Sequence, residues 1–143
     1  MDIQTILPQG SAISPREYSP LALAFIGDAV YEVYVRAQVL SEANTSAHIL
    51  HKKAIAYVKA EAQATAAKVI MEQLSEDEMA IFKRGRNAKS ATVPKHANVS
   101  DYRHATALEA LFGYLYLSGE TERLTELMQV AYCKSQNDDK EIK

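Results

Sequence analysis

Three carboxylates stand in the two most apolar stretches of this 143-residue chain. Asp28 and Glu32 interrupt the run from Leu21 to Val35, and Glu109 interrupts the run from Ala105 to Leu117. An ionised carboxylate inside an apolar helix bundle is costly unless it meets a cation, a hydrogen-bond donor or water. Each stretch also holds one glycine, Gly27 beside Asp28 and Gly113 four residues beyond Glu109. Glycine within a helix costs roughly 1 kcal/mol relative to alanine, so it marks a close approach. The two glycines predict a tight helix crossing that brings Asp28 and Glu109 to one place. Two carboxylates held together repel, and a hard divalent cation removes that repulsion. On the residues alone, a buried salt bridge or a helix cap is the commoner origin of such a pair. Glu32 has a simpler partner in Arg36, one helical turn further on.

The elements that must position these acids are helical throughout. Ser19 and Pro20 form a helix start, a capping hydroxyl followed by proline at the first helical position. The first helix is expected from about Pro20 to Leu40. Its apolar residues surround it on nearly all sides, which predicts burial on one face and a partner subunit on another. Asn44, Thr45 and Ser46 offer the next cap. Helix then continues from Ala47 to about Leu74, without proline or glycine and broken into two pieces. Ser75 with Glu78 forms a capping box for a helix to about Arg84. Gly85 to Val99 reads as a loop, Ser100 as the cap of a helix from Asp101 to Leu117, and Gly119 as its stop. A last helix runs from Thr121 to about Lys134. No strand-like alternation with turn chemistry occurs, so the fold class is all-α. The expected organisation is an irregular N-terminal arm over 1–18, one domain over 19–135, and a polar tail over 136–143.

Composition excludes several classes. No basic patch leads into an apolar run at the N-terminus, so no secretory signal is visible. The run from Pro20 to Val35 is too short to span a bilayer and carries two acids, which argues against a membrane protein. A lone Cys133 cannot form an internal disulfide, and no Cys or His cluster has zinc spacing, so a reducing cytoplasm fits. His48, His51 and His104 lack ligand spacing. Net charge is −2, but Lys83 to His104 holds six basic residues against one acid. An otherwise acidic chain with one basic segment points to an anion-binding surface, for instance for a nucleic-acid backbone.

The segment Leu21-Ala-Leu-Ala-Phe-Ile-Gly-Asp28-Ala-Val-Tyr-Glu32 resembles the signature helix of the ribonuclease III family, with its aromatic, aliphatic, glycine and aspartate in this order. Thr106-Ala-Leu-Glu109-Ala-Leu-Phe-Gly113 is similar to the second motif of that family. Lys83-Arg-Gly-Arg-Asn-Ala-Lys-Ser90 with Pro94-Lys95 resembles the mini ribonuclease III subfamily, which has the nuclease domain without a double-stranded-RNA-binding domain. Three motifs in order, over roughly Leu21 to Leu127, make the resemblance specific. One departure is informative. Where larger family members carry a glutamate four residues before the aspartate and an aspartate three before the glutamate, this chain has Ala24 and Thr106. Mini enzymes share that reduction.

The resemblance implies a ribonuclease III-type helical domain and hydrolysis of RNA phosphodiesters by a magnesium-activated water, leaving 5′-phosphate and 3′-hydroxyl ends. It implies Asp28 and Glu109 as the catalytic, Mg2+-holding residues, and it reverses the preference for a salt bridge or cap. It implies a homodimer acting on double-stranded RNA, with the large-subunit ribosomal RNA precursor as the substrate to be matured. The basic segment becomes the RNA-binding element, with Lys83, Arg84, Arg86, Asn87, Lys89, Ser90 and Lys95 as its contacts. Solvated charges are the ordinary explanation of such a loop and of His51-Lys52-Lys53. Tyr31 and Tyr34 read as packing or dimer residues. The rival reading is a non-catalytic RNA-binding or ribosome-assembly module that keeps the nuclease fold.

Overall fold

The computed structural model describes residues 13–89, 93 and 98–136. Most of the expected N-terminal arm, Ser90, Lys95 and the tail beyond Gln136 lie outside the described residues. Among the described residues, six α-helices carry the fold: α1 (Pro20–Glu42), α2 (Ala47–Val58), α3 (Ala60–Ile70), α4 (Glu76–Arg86), α5 (Val99–Leu117) and α6 (Thr121–Lys134). Short 3-10 turns at Pro15–Glu17 and Met71–Gln73 precede α1 and follow α3. Among the described residues there is no strand.

Local chemistry accounts for most of the boundaries. The Ser19 hydroxyl accepts the Ala22 amide at 3.1 Å, and Pro20 fills a position whose amide would lack an intrahelical partner. Ser46 caps α2 in the same way. Ser75 and Glu78 make the reciprocal capping box at the start of α4. Glu78 is also buried, and Arg123 on α6 grips its carboxylate through Nε and Nη2, each at 2.8 Å. That bond above all holds the Glu78 carboxyl below its usual range and ties the start of α4 to α6. Gly119, at φ 73°, reverses the chain after α5.

α5 is the central helix. Ten of its residues are buried, with α1, α3, α4 and α6 packed around it. The core gathers Tyr31 and Val35 from α1, Phe82 from α4, Leu108, Leu111 and Phe112 from α5, and Leu124 and Leu127 from α6. Tyr31 packs on Phe112 with ring centroids 5.2 Å apart, so it is a packing residue as expected.

Two boundaries differ from the sequence reading. Gly85 is not in a loop: α4 continues to Arg86, and Gly85 lies buried against α5. A methyl there would meet the Ala107 Cα and Ala110 Cβ at 2.9 Å, so this glycine serves helix packing. The cap of α5 is Asn98, not Ser100; its Oδ1 accepts the Asp101 amide at 3.1 Å. An asparagine two residues earlier does the capping as well as serine and lengthens the helix.

Candidate active site

The crossing of α1 and α5 is set by two glycines acting reciprocally. A Cβ on Gly27 would stand 1.8 Å from the Glu109 carbonyl oxygen, and one on Gly113 would stand 1.9 Å from the Leu23 carbonyl oxygen. Only bare backbone on each side permits this distance. The result is that Asp28, next to Gly27, meets Glu109, whose own carbonyl rests on Gly27. Their side chains interact directly, Asp28 exposed and Glu109 partly buried.

Electrostatics follow from that placement. Burial first, and then the charge of Asp28, push the Glu109 carboxyl up to about 8. At neutral pH Glu109 therefore carries a proton in the bare site, and a divalent cation would take its place. Gln63 on α3 works in the opposite direction, favouring the carboxylate.

Glu32 lies one turn beyond Asp28, and its Oε1 stands 3.4 Å from Arg36, the partner expected. Its Oε2 is buried and has no hydrogen-bond partner among the described residues. The positions where larger relatives carry further acids supply no oxygen here. Ala24 packs in a small apolar cluster with Leu23, Ile81 and Ala110. The Thr106 hydroxyl donates to the Tyr102 carbonyl at 3.0 Å, within its own helix.

Among the described residues, no group of three or more His, Cys, Asp or Glu side chains converges as a metal site. Two carboxylates nonetheless suit magnesium, which keeps several waters and is held by one or two protein carboxylates together with substrate phosphate. A pair that gains from losing its mutual repulsion fits such an ion.

The basic residues are arranged less uniformly than the sequence suggests. Lys83, Arg84 and Lys89 are exposed. Arg84 donates from Nη1 to the Arg16 carbonyl and from Nη2 to the Tyr18 carbonyl, both at 3.1 Å, and so tethers the segment before α1. Arg86 and Asn87 line an open pocket of about 360 Å³ with Ser100, Arg103 and His104. Lys89 and Arg103 line the neighbouring pocket with Leu21 and Thr106. Thr106 is one helical turn before Glu109, so this basic surface runs along α5 towards the acid pair. Arg103, which counts only as local charge in the sequence, lines both pockets. Its signal was available, since it stands six residues before Glu109 on the helix that carries that acid. The His104 Nδ1 lies 2.8 Å from the Ser100 carbonyl, and His51 sits on α2 between α1 and α2, so neither histidine joins the acids.

α1 presents an apolar face outward. Phe25 is 81% and Val33 61% exposed, with Leu21 and Leu40 in the same row. Phe25 is three residues from Asp28, so this face borders the acid pair. No described helix is long and apolar enough to cross a membrane.

Comparison with known proteins agrees with this architecture. The ribonuclease III domain family matches residues 21–120. A mini-ribonuclease 3 of Thermoanaerobacter sp. (strain X514) is 52% identical over 113 residues, 79% of this chain and 80% of that protein. The mini-ribonuclease 3 of Brevibacillus brevis is 49% identical over 119 residues, 83% of this chain and 89% of that protein. A crystal structure of a protein from Fusobacterium nucleatum superposes with a TM-score of 0.74 at 36% identity, over 80% of this chain and 92% of that one.

Proposed function

We infer the function from one premise, that this chain belongs to the ribonuclease III family and is an endoribonuclease. On our reading it cuts double-stranded RNA with Mg2+, leaves 5′-phosphate and 3′-hydroxyl ends, and works as a homodimer in the cytoplasm. The substrate this reading assigns is the large-subunit ribosomal RNA precursor, carried over from the mini ribonuclease III resemblance. The observation that carries the proposal is the contact between Asp28 and Glu109 at the Gly27–Gly113 crossing.

Each residue then has a task. Asp28 and Glu109 would hold the cation; Glu109 would give up its proton on holding it, and Asp28 faces solvent where a phosphate can approach. The ion would supply activation of water and stabilisation of the charge developing on the phosphate oxygens. Arg86, Lys89 and Arg103 would hold the RNA backbone, with Lys83 and Asn87 beside them and Ser90 and Lys95 assigned from the sequence. The exposed face of α1 around Phe25 and Val33 would meet a second copy, placing two acid pairs near one duplex. A non-catalytic module gains nothing from two acids forced together, so the rival reading has no observation in its favour.

The test is cleavage of a duplex RNA by purified protein with and without Mg2+. Asp28→Asn keeps size and removes the charge, so cleavage should fall at least about a hundredfold while fold and RNA binding persist. Near-normal turnover of this variant with Mg2+ would refute the site assignment.

A further inference from the structure

We propose that His104 reads the ribose of duplex RNA: its ring Nε2 accepts a hydrogen bond from a 2′-hydroxyl of the strand whose phosphates rest on Arg86 and Arg103. The proposal rests on the reading that this chain binds double-stranded RNA. It adds the side chain that tells ribose from a sugar without that hydroxyl.

The open pocket between the end of α4 and the start of α5 is lined by Arg86, Asn87, Val99, Ser100, Arg103 and His104, with no acid among them. Neither arginine has an ion-pair partner among the described residues. A guanidinium can only donate, so both arginines suit the oxygens of a phosphate. The Asn87 Oδ1 lies 3.5 Å from the Arg86 Nε, which leaves the amide nitrogen of Asn87 to donate as well.

His104 departs from this pattern. Its Nδ1 lies 2.8 Å from the Ser100 carbonyl oxygen, which can only accept, so Nδ1 carries the hydrogen of the neutral ring. Nε2 is then a bare acceptor, and none of the described residues hydrogen-bonds it. The backbone bond also fixes the orientation of the ring. A backbone phosphate has no hydrogen to give such an atom, whereas a ribose hydroxyl has. A site for phosphate alone needs donors throughout. Donors beside one oriented acceptor match a whole nucleotide unit, its phosphate and its 2′-hydroxyl together. Double-stranded RNA displays those hydroxyls in its wide, shallow minor groove, where they distinguish it from DNA. His104 stands five residues before Glu109 on α5, a rise of about 7.5 Å, so the ribose it meets lies near the bond to be cut.

The test is a cycle between His104→Phe and 2′-fluoro substitution of the RNA. Fluorine keeps the A-form sugar and cannot donate a hydrogen bond; phenylalanine keeps a ring and lacks the acceptor. The full chain would be assayed for kcat/KM with Mg2+ on duplex RNAs fluorinated at one 2′ position at a time. Wild type should lose roughly three- to tenfold at a position near the cut. His104→Phe should be slower on the unmodified duplex by a similar factor and lose nothing more at that position. Arg103→Ala should instead be slower on every duplex alike. A structural role for His104, or a purely electrostatic one, would slow modified and unmodified duplexes equally. The cost of fluorine would then stay as in wild type, which would overturn the proposal. Should His104→Phe not fold, the 15N resonance of Nε2 in the wild-type protein decides. It should sit where a ring nitrogen without hydrogen resonates and move on addition of duplex RNA in the absence of cation. It should move less with the duplex fluorinated at the sensitive position; equal movement with both overturns the proposal. If wild type cuts duplex RNA but His104→Phe leaves every fluorine cost unchanged, only this inference falls. If wild type does not cut duplex RNA, the reading of the function falls and takes this inference with it.

Discussion

A methyl group at position 27 would stand 1.8 Å from the Glu109 carbonyl oxygen, 2.7 Å from its carbon and 2.7 Å from the Gly113 amide nitrogen. All three are backbone atoms, so no side-chain rotation can relieve the clash. Gly27→Ala therefore has to push α1 and α5 apart by roughly 1.5 Å before the contacts approach ordinary separation. Overpacking a core costs about 1–3 kcal/mol when side chains can shift, and a backbone-to-backbone clash sits at or above that upper end. Alanine regains about 1 kcal/mol of helix propensity, which leaves a net loss of at least about 2 kcal/mol. For a chain of this length that corresponds to a drop in Tm of at least roughly 7 °C. The separation also moves Glu109 away from Asp28, and about 1 Å of misplacement at a reacting centre can cost about a hundredfold in rate. Thermal melting and duplex-RNA cleavage at saturating Mg2+ read the two effects. Gly119→Ala is the contrast, because nothing lies within 4 Å of that position and only its φ of 73° resists a side chain. It should cost about 1–2 kcal/mol and leave turnover alone. A Gly27→Ala variant as stable as wild type, with turnover within about threefold, would refute the crossing argument, since propensity alone predicts stabilisation.

Because the folded protein raises the Glu109 carboxyl to about 8 from the ordinary range near 4.5, it binds that proton more tightly than the unfolded chain does. Without a cation, stability should thus fall as pH rises between those two values, and the gain in Tm from Mg2+ should grow from pH 6 to pH 8. Calorimetry in buffers of different ionisation enthalpy should show proton release on cation binding at pH 7, fading above pH 9; no release at pH 7 would count against a protonated Glu109 in the bare site. Changing Arg86, Lys89 and Arg103 together to alanine should weaken duplex binding and lower the salt slope by roughly 0.7–0.9 for each phosphate no longer neutralised, with a Tm near wild type. An unchanged slope would show that RNA docks elsewhere. Arg84→Ala should instead lower Tm by a few degrees, since two hydrogen bonds to the Arg16 and Tyr18 carbonyls go with it. Val33→Lys, in the exposed row of α1 but away from the acids, should raise the dimer dissociation constant at least about tenfold in sedimentation; an unaltered dimer would move the interface to another face.

The features legible in the sequence are those that break a local rule at a visible cost. Gly27 and Gly113 lower helix propensity inside long apolar helices, and the structure shows the reciprocal contact that compensates. Ser19, Ser46 and the Ser75–Glu78 box satisfy amides three residues away, so their chemistry lies within one short window. Gly85 breaks a rule too, but its neighbours Arg84, Arg86 and Asn87 have loop composition, and the contact that explains it lies on Ala107 and Ala110. The tether of Arg84 to Arg16 and Tyr18 spans 68 and 66 residues, and the grip of Arg123 on Glu78 spans 45. No periodicity or spacing records pairings at such distance. Gln63 escaped for the same reason, being one polar residue in an alanine-rich helix until the fold sets it against Glu109.

The acid pair is a place where folding and chemistry pull in opposite directions. Folding would be served by an amide or an apolar side chain at position 109, since the carboxyl there is disfavoured by burial and by Asp28. The fold accepts that cost and builds around it, with two glycines to close the crossing and an amide from α3 to favour the ionised form. It adds no further acids. Ala24 is committed to apolar packing and Thr106 to its own helix, so the protein offers few oxygens to a cation. A hard ion with few protein ligands keeps open positions in its shell, and a substrate phosphate can fill them. The sparse donor set and the basic surface along α5 are then two halves of one arrangement. On the proposed reading the acids would hold the ion loosely enough to need RNA, and the neighbouring basic side chains would supply RNA at that point.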